Sequence, residues 1–271
     1  MTDEQPVLYD VDAGVALLTL NRPERNNAWT YEMEEQYFAA IDRADTDPDV
    51  RVVVVTGAGK AFCPGLDMEV LRATAERGTI RTEERRPQTY ALGLRKPLVA
   101  AINGACAGIG LVQALVADVR FASSRARITT AYARRGLVAE YNTAWLLPRI
   151  MGYERALDLL LSGRVVDGAE AHAMGLVSHL CQPDDVLASA LAWARDTAAN
   201  CSPMSMVAIK RQVVRAAALP FDSAMTETFD LMQRVADHPD FAEGVASFTE
   251  KRAPRFQSLP DDFDITFPAN D

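Results

Sequence analysis

The chain has 271 residues, 49% hydrophobic and 24% charged, enough for one large globular domain or a domain with an appendage. Its formal net charge of −9 excludes a general nucleic-acid surface, which needs clustered Lys and Arg, but allows a local basic patch for a phosphorylated ligand. No apolar stretch is as long as a membrane span, and the acidic start MTDEQPVLYD lacks a signal-peptide pattern, so the expected setting is cytoplasmic, with no membrane contact.

In chain order, VALLTL (15–20) reads as a strand stopped by the turn Asn21-Arg22-Pro23. Thr30 caps a helix that runs to about residue 45, with Glu34 in its first turn. RVVVVTG (51–57) is apolar throughout, as a strand buried on both faces is. PLVAAI (97–102), DVRFAS (118–123) and ARITT (126–130) are further strands, and GLVQALVA (110–117) is a short buried helix. TAWLLPRIMG (143–152) is helical with Pro148 inside or at a joint, and helices follow over 153–161, 167–174 and 184–199. Alternating strands and helices predict parallel strands with crossover helices, an α/β fold. Beyond Cys201 the strand signals stop. Three helices (203–218, 221–238, 241–251) and a tail (257–271) follow, which divides the chain into a core over 1–200 and a helical region over 201–271.

Four cysteines lie scattered, as reduced buried thiols do, and the three histidines have no metal-ligand spacing, so no metal is expected. Two strands end in glycine-rich turns, TGAGKAFCPGLD (56–67) and NGACAGIGL (103–111). Neither fits a nucleotide loop. Val54 stands where a P-loop needs its first Gly, Ala61 where it needs Ser or Thr, and Gln113 where a dinucleotide fingerprint needs Gly or Ala. The turns are either plain sheet-to-helix connections or a pair of backbone N–H donors aimed at one oxygen, with Gly108 and Gly110 opening a helix.

Seven stretches carry a resemblance: LNRPERNNAW (20–29), VVVVTGAGKAFCPGLDM (52–68), KPLVAAINGACAGIG (96–110), ADVRFAS (117–123), GLVAEYNTAWLLPRIMG (136–152), AMGLVSHL (173–180) and FTEKRAPRF (248–256). In this order they resemble the crotonase superfamily, the enoyl-CoA hydratase/isomerase family. The resemblance implies a spiral of ββα units with a helical C-terminal oligomerisation region, assembled as a homotrimer or hexamer. It implies an acyl-CoA substrate, no cofactor beyond the coenzyme A of that substrate, and an enolate held by two backbone N–H groups. By position those belong to Leu66 and Ile109, with Gly108 beside the second. On the coenzyme side it implies Arg25 near a phosphate, Ala28, Asp67 and Met68 along the wall, and Lys251 reaching in from a neighbouring subunit.

Hydratases of the family hold a water between two glutamates. Val112 occupies the place of the first and Tyr132 the place of the second, so that pair is absent. Val112 cannot transfer a proton, and a tyrosine ionises near pH 10, far from a neutral-pH base. Glu140 remains. On its own it reads rather as a first-turn carboxylate of the helix bearing Trp145 than as a catalytic acid. Some isomerases of the family place a single acid in this segment, so the resemblance favours Glu140 as the sole acid-base, its carboxyl raised by an apolar pocket of Leu137, Val138 and Trp145. Tyr132 and Trp145 then line the acyl site. The expected activity is double-bond isomerisation. Hydration of a 2-enoyl-CoA and non-catalytic acyl-CoA binding are the alternatives. The arginine-rich RTEERRPQTY (81–90) reads as a solvated charge run, Arg134 and Arg135 as partners of surface acids, and His172 as structural.

Overall fold

A computed structural model describes residues 5–79, 83, 85–260 and 263. The strands form two sheets among these residues. A six-stranded sheet runs β1 (Val7–Asp12), β2 (Val15–Leu20), β3 (Val52–Gly57), β5 (Leu98–Ile102), β7 (Val119–Ser123), β10 (His179–Cys181). A four-stranded sheet runs β4 (Ala61–Cys63), β6 (Ala105–Ala107), β8 (Arg127–Thr129), β9 (Val166–Asp167). Only β1–β2 and β8–β9 pair antiparallel.

The order reveals a repeat. β3, β5 and β7 each lie in the large sheet and are followed at once by β4, β6 and β8 in the small one. Each pair then leads to a helix: α2 (Met68–Arg77), α3 (Ile109–Leu115) and, after a longer connection, α4 (Thr143–Met151). Three successive ββα units wind in one direction, which is the expected spiral.

Burial on both faces explains the unbroken valine run of β3. Val53 and Val55 enter the main core shared by the two sheets, while Val52 and Val54 face a second core on the far side. That second core is covered by α7 (Val186–Asn200) through Val186, Ala190, Ala194 and Ala198, a small-residue stripe at helical spacing that lets the helix lie close to the sheet. The first helix, α1 (Tyr31–Thr46), starts as read: Thr30 Oγ1 accepts from Met33 N at 3.1 Å. α5 (Tyr153–Ser162) and α6 (Gly168–Ala173) complete the core side, and α8 (Pro203–Ala216), α9 (Phe221–Ala236) and α10 (Pro239–Glu250) form the C-terminal helices.

Three readings change. The described part of 257–271 is docked: Leu259 and Phe263 pack with Val207 and Leu231, and Arg95 donates to the Pro260 and Phe263 carbonyls; the rest lies outside the described residues. Cys63 and Cys106 are buried, but Cys201 is exposed. The described part of 81–90 is no solvated charge run either. Arg85 pairs with Glu34, while Arg86 and Tyr90 both bind Asp42, all on α1; residues 81, 82 and 84 lie outside the described residues. Among the described residues no helix is long and apolar enough to cross a membrane, and no cluster of His, Cys, Asp or Glu could hold a metal.

The turns between β4, β6 and α3 are packed to contact. A Cβ on Gly110 would sit 2.2 Å from the Cys63 carbonyl oxygen, whereas one on Gly93 would meet nothing within 4 Å. Helix propensity alone would reward Gly110→Ala by up to about 1 kcal/mol, but a backbone clash of this kind costs more. Gly110→Ala should therefore lose about 1–3 kcal/mol of stability in urea unfolding, and Gly93→Ala should stay within about 0.5 kcal/mol of the parent.

Candidate active site

A cleft of about 590 Å³ opens where the three repeats leave their short strands. Residues 64–69 after β4, Gly108 and Ile109 after β6, and residues 130–132 after β8 line it, together with Glu140. The cleft therefore gathers Leu66, Ile109, Gly108, Glu140, Tyr132, Arg25, Ala28, Asp67 and Met68, nine of the residues singled out in the sequence.

The first turn is held from behind. Trp29 N donates to the Gly65 carbonyl at 2.8 Å, and Asp67 N donates to the Trp29 carbonyl at 2.9 Å. Leu66 lies between those two bonds, and its own N–H has no acceptor among the described residues. The second turn ends on Gly108 (φ 50°, ψ −121°), a conformation that suits glycine, and provides no side-chain cap for α3. The N–H of Ile109, first in that helix, is likewise without an acceptor among the described residues, as helix geometry dictates. The turns touch: a Cβ on Gly65 would lie 3.3 Å from the Ala107 carbonyl oxygen, and one on Gly108 would lie 3.9 Å from Gly65 Cα. Two free N–H donors thus sit on adjoining turns of one cleft.

Glu140 is half-buried, and its carboxylate has no hydrogen-bond or ion-pair partner among the described residues. Burial pushes its carboxyl above the ordinary range. Its main chain, by contrast, is fixed: the carbonyl accepts from Thr143 N at 3.0 Å and Thr143 Oγ1 at 2.8 Å. Tyr141 (φ 49°) and Asn142 (φ 61°) follow in the left-handed region, a strained pair that turns the chain into α4. Glu140 therefore precedes the helix cap and is not a first-turn carboxylate of α4. Tyr132 is buried beside it, with no hydrogen-bond partner for its hydroxyl among the described residues, and burial moves its ionisation further from neutrality. Val112 is buried in the main core, away from the cleft.

The apolar pocket around Glu140 is smaller than the sequence suggests. Leu137 lines the cleft, but Val138 is 80% exposed and Trp145 is 42% exposed, stacked under Arg149 at 3.8 Å on the outer surface of α4. Helical spacing alone cannot tell an outward from an inward tryptophan. Lys251 caps α10 and does not line the cleft of its own chain. Arg25 lines it with its guanidinium bound to Asp67 (3.2 Å) and Glu69 (3.2 Å). Burial works to raise the Asp67 carboxyl, but the Glu69 N–H, Arg25 and Arg22 outweigh it and hold it below the usual range. The sequence reading missed two other cations on the walls, Arg72 and Arg135, neither with an ion-pair partner among the described residues. Arg72 stands four residues after Met68 on α2, a spacing that could have marked it. The sequence pattern reads Arg135 as a partner of surface acids, but it lines the cleft, while its neighbour Arg134 binds the Ser162 carbonyl. His172 is structural, bonded to the Val177 carbonyl at 3.1 Å.

A family profile described as Enoyl-CoA hydratase/isomerase matches residues 10–259. The chain is 39% identical over 259 residues to the probable enoyl-CoA hydratase EchA14 of Mycobacterium tuberculosis, covering 91% of this chain and 98% of that protein. It is 30% identical over 256 residues to the 1,2-epoxyphenylacetyl-CoA isomerase of Escherichia coli, covering 92% and 97%. The crystal structure of a probable enoyl-CoA hydratase/isomerase from Mycobacterium abscessus superposes with a TM-score of 0.86 at 33% identity, covering 93% of this chain and 99% of that one.

A base must be deprotonated to work, so activity is lost as pH falls through the carboxyl's pKa. Burial of Glu140 raises that pKa. With Glu140 as the base of a reaction on an enoyl-CoA, the acid limb of kcat/KM is expected above the ordinary glutamate value, near 4.3 in model peptides. A limb at or below that value would mean that Glu140 is hydrated or is not the base.

Proposed function

The chain belongs to the enoyl-CoA hydratase/isomerase family, and on that premise we propose that it shifts a double bond in an acyl-CoA thioester, with Glu140 as its single acid-base. The observation that carries this reading is the half-buried, unpartnered carboxylate in the same cleft as two unpartnered backbone N–H groups, with no second carboxylate where the family's hydratases have theirs.

The steps balance with these groups alone. The thioester oxygen accepts from the Leu66 and Ile109 N–H groups. Glu140 takes a proton from C2 of a 3-enoyl thioester, and the electron pair moves into the carbonyl as an enolate. Two donors waiting for that charge lower the barrier, each worth about 3 kcal/mol in well-formed oxyanion holes. The enolate collapses toward a 2,3 double bond while Glu140 returns the proton to C4. No cofactor enters the cycle. Ala28, Asp67 and Met68 line the coenzyme side of the cleft, Arg25 braces Asp67 there, and Tyr132 lines the acyl side. Hydration of a 2-enoyl-CoA is the second reading, favoured by the hydratase name of the Mycobacterium tuberculosis relative.

We also propose assembly through the C-terminal helices as a trimer or hexamer. Phe221, Phe229, Phe241 and Phe248 on α9 and α10 are each more than half exposed, Phe248 at 87%. An apolar surface of this kind marks an interaction site.

Ultraviolet absorbance at the conjugated thioester tests the chemistry. A 3-enoyl-CoA should gain conjugation with the parent, and Glu140→Gln should lose at least about a hundredfold in rate, at the low end for removing a general base. Conjugation lost from a 2-enoyl-CoA, again dependent on Glu140, would give the hydratase. Neither signal, with saturated acyl-CoA still bound, would make the protein a binder. Sedimentation should give three or six chains per particle; a monomer would overturn the assembly.

A further inference from the structure

Outside the cleft, one buried carboxylate collects an unusual set of donors. Glu34, on α1, is 4% exposed. It accepts from Trp29 Nε1 at 3.1 Å, from Arg85 Nε at 2.8 Å and a second Arg85 nitrogen, and from Gln88 Nε2 at 2.6 Å. Neither Glu34 nor these three donors line the cleft.

Each donor leads to a different wall of it. Trp29 holds the Leu66 turn through its own main chain, at 2.8 Å and 2.9 Å. Gln88 receives Gln113 Nε2 on its carbonyl (3.2 Å) and its side-chain oxygen (3.1 Å). Gln113 lies one helical turn after Ile109 on α3. The Arg85 guanidinium also acts electrostatically on the Tyr141 hydroxyl, next to Glu140. The Leu66 turn, the Ile109 helix and the Glu140 loop are thus wired to one side chain. They come from three different repeats, whose strands pair as β3–β5–β7 in the large sheet and β4–β6–β8 in the small one, while the three segments themselves lie outside those strands.

We propose that Glu34 is a positioning residue, which through Trp29, Gln88–Gln113 and Arg85–Tyr141 fixes the two N–H donors and Glu140 relative to one another. This rests on the reading of those three groups as the catalytic set. The chemistry supports it on two grounds. A buried ion pair often recovers little beyond its own desolvation cost, and apolar packing can serve stability as well. Catalysis between groups on separate elements, in contrast, is lost with displacements of the order of 1 Å, so a rigid shell behind them has direct kinetic value.

The test uses the full chain and four proteins: the parent, Glu34→Gln, Tyr141→Phe and Glu140→Gln. For each, kcat and KM on the enoyl-CoA turned over by the parent are measured alongside the urea midpoint. Glu34→Gln keeps the side chain's shape but loses the charge that Arg85 needs. It should lower kcat at least about tenfold with KM within about twofold. Tyr141→Phe removes a single hydroxyl from one branch. It should lower kcat about three- to tenfold at an unchanged urea midpoint, the split that a purely structural role would not produce. Should Glu34→Gln fail to fold, Tyr141→Phe decides. Parent-like kcat in Tyr141→Phe, or a loss that lies wholly in KM, overturns the positioning role while an inactive Glu140→Gln leaves the base assignment intact. An active Glu140→Gln overturns the base assignment, and the proposal with it.

Discussion

The site depends on two glycine turns lying against each other. A backbone N–H left without an acceptor is costly when buried, and a fold tolerates it only where the chain around it cannot relax. Gly65 and Gly108, both in the left-handed half of backbone space, let the two short connections meet nearly at van der Waals distance. Gly110 presses α3 onto β4 behind them. The spiral supplies the rest, because each repeat delivers its turn to the same edge as the one before. The cleft is a consequence of that stacking, and the proposed donor roles of Leu66 and Ile109 are compatible with their bulk because they call only on the main chain.

The sequence exposed this part well. Runs such as VVVV and LVAAI, short, β-branched and bounded by turn residues, read as strands buried on both faces, and glycines where they end leave few conformations for the turns. The cap at Thr30 and the three C-terminal helices are local patterns too, and they emerge within a few residues of their expected bounds. The departures share a physical cause. Arg85 and Glu34 are 51 residues apart, and no local pattern distinguishes an arginine that will meet a buried acid from one that stays in water. Trp145 went outward because α4 is covered on one side only, through Leu146, Leu147 and Met151, a choice fixed by its neighbours and not by its own spacing. The docking of Leu259 and Phe263 is likewise a tertiary event in a stretch without periodicity.

Two carboxylates in this protein receive opposite treatment, and the contrast bears on their roles. Glu34 is well partnered: an indole, a guanidinium and an amide all donate to its oxygens, so it is held still. Glu140 is deprived. Its carbonyl is clamped by Thr143 and its backbone is turned by two left-handed residues, while the carboxylate is given no donor among the described residues. Proton transfer needs a group whose two protonation states are close in energy, and a half-buried acid without a cation beside it approaches that condition. A compensating arginine would have bound the proton-free form too well. Arg135 lines the same cleft, yet burial still raises the Glu140 carboxyl. Rigidity at Glu34 and poverty at Glu140 are therefore complementary in the proposed mechanism: one carboxylate holds the frame in which the other would exchange its proton.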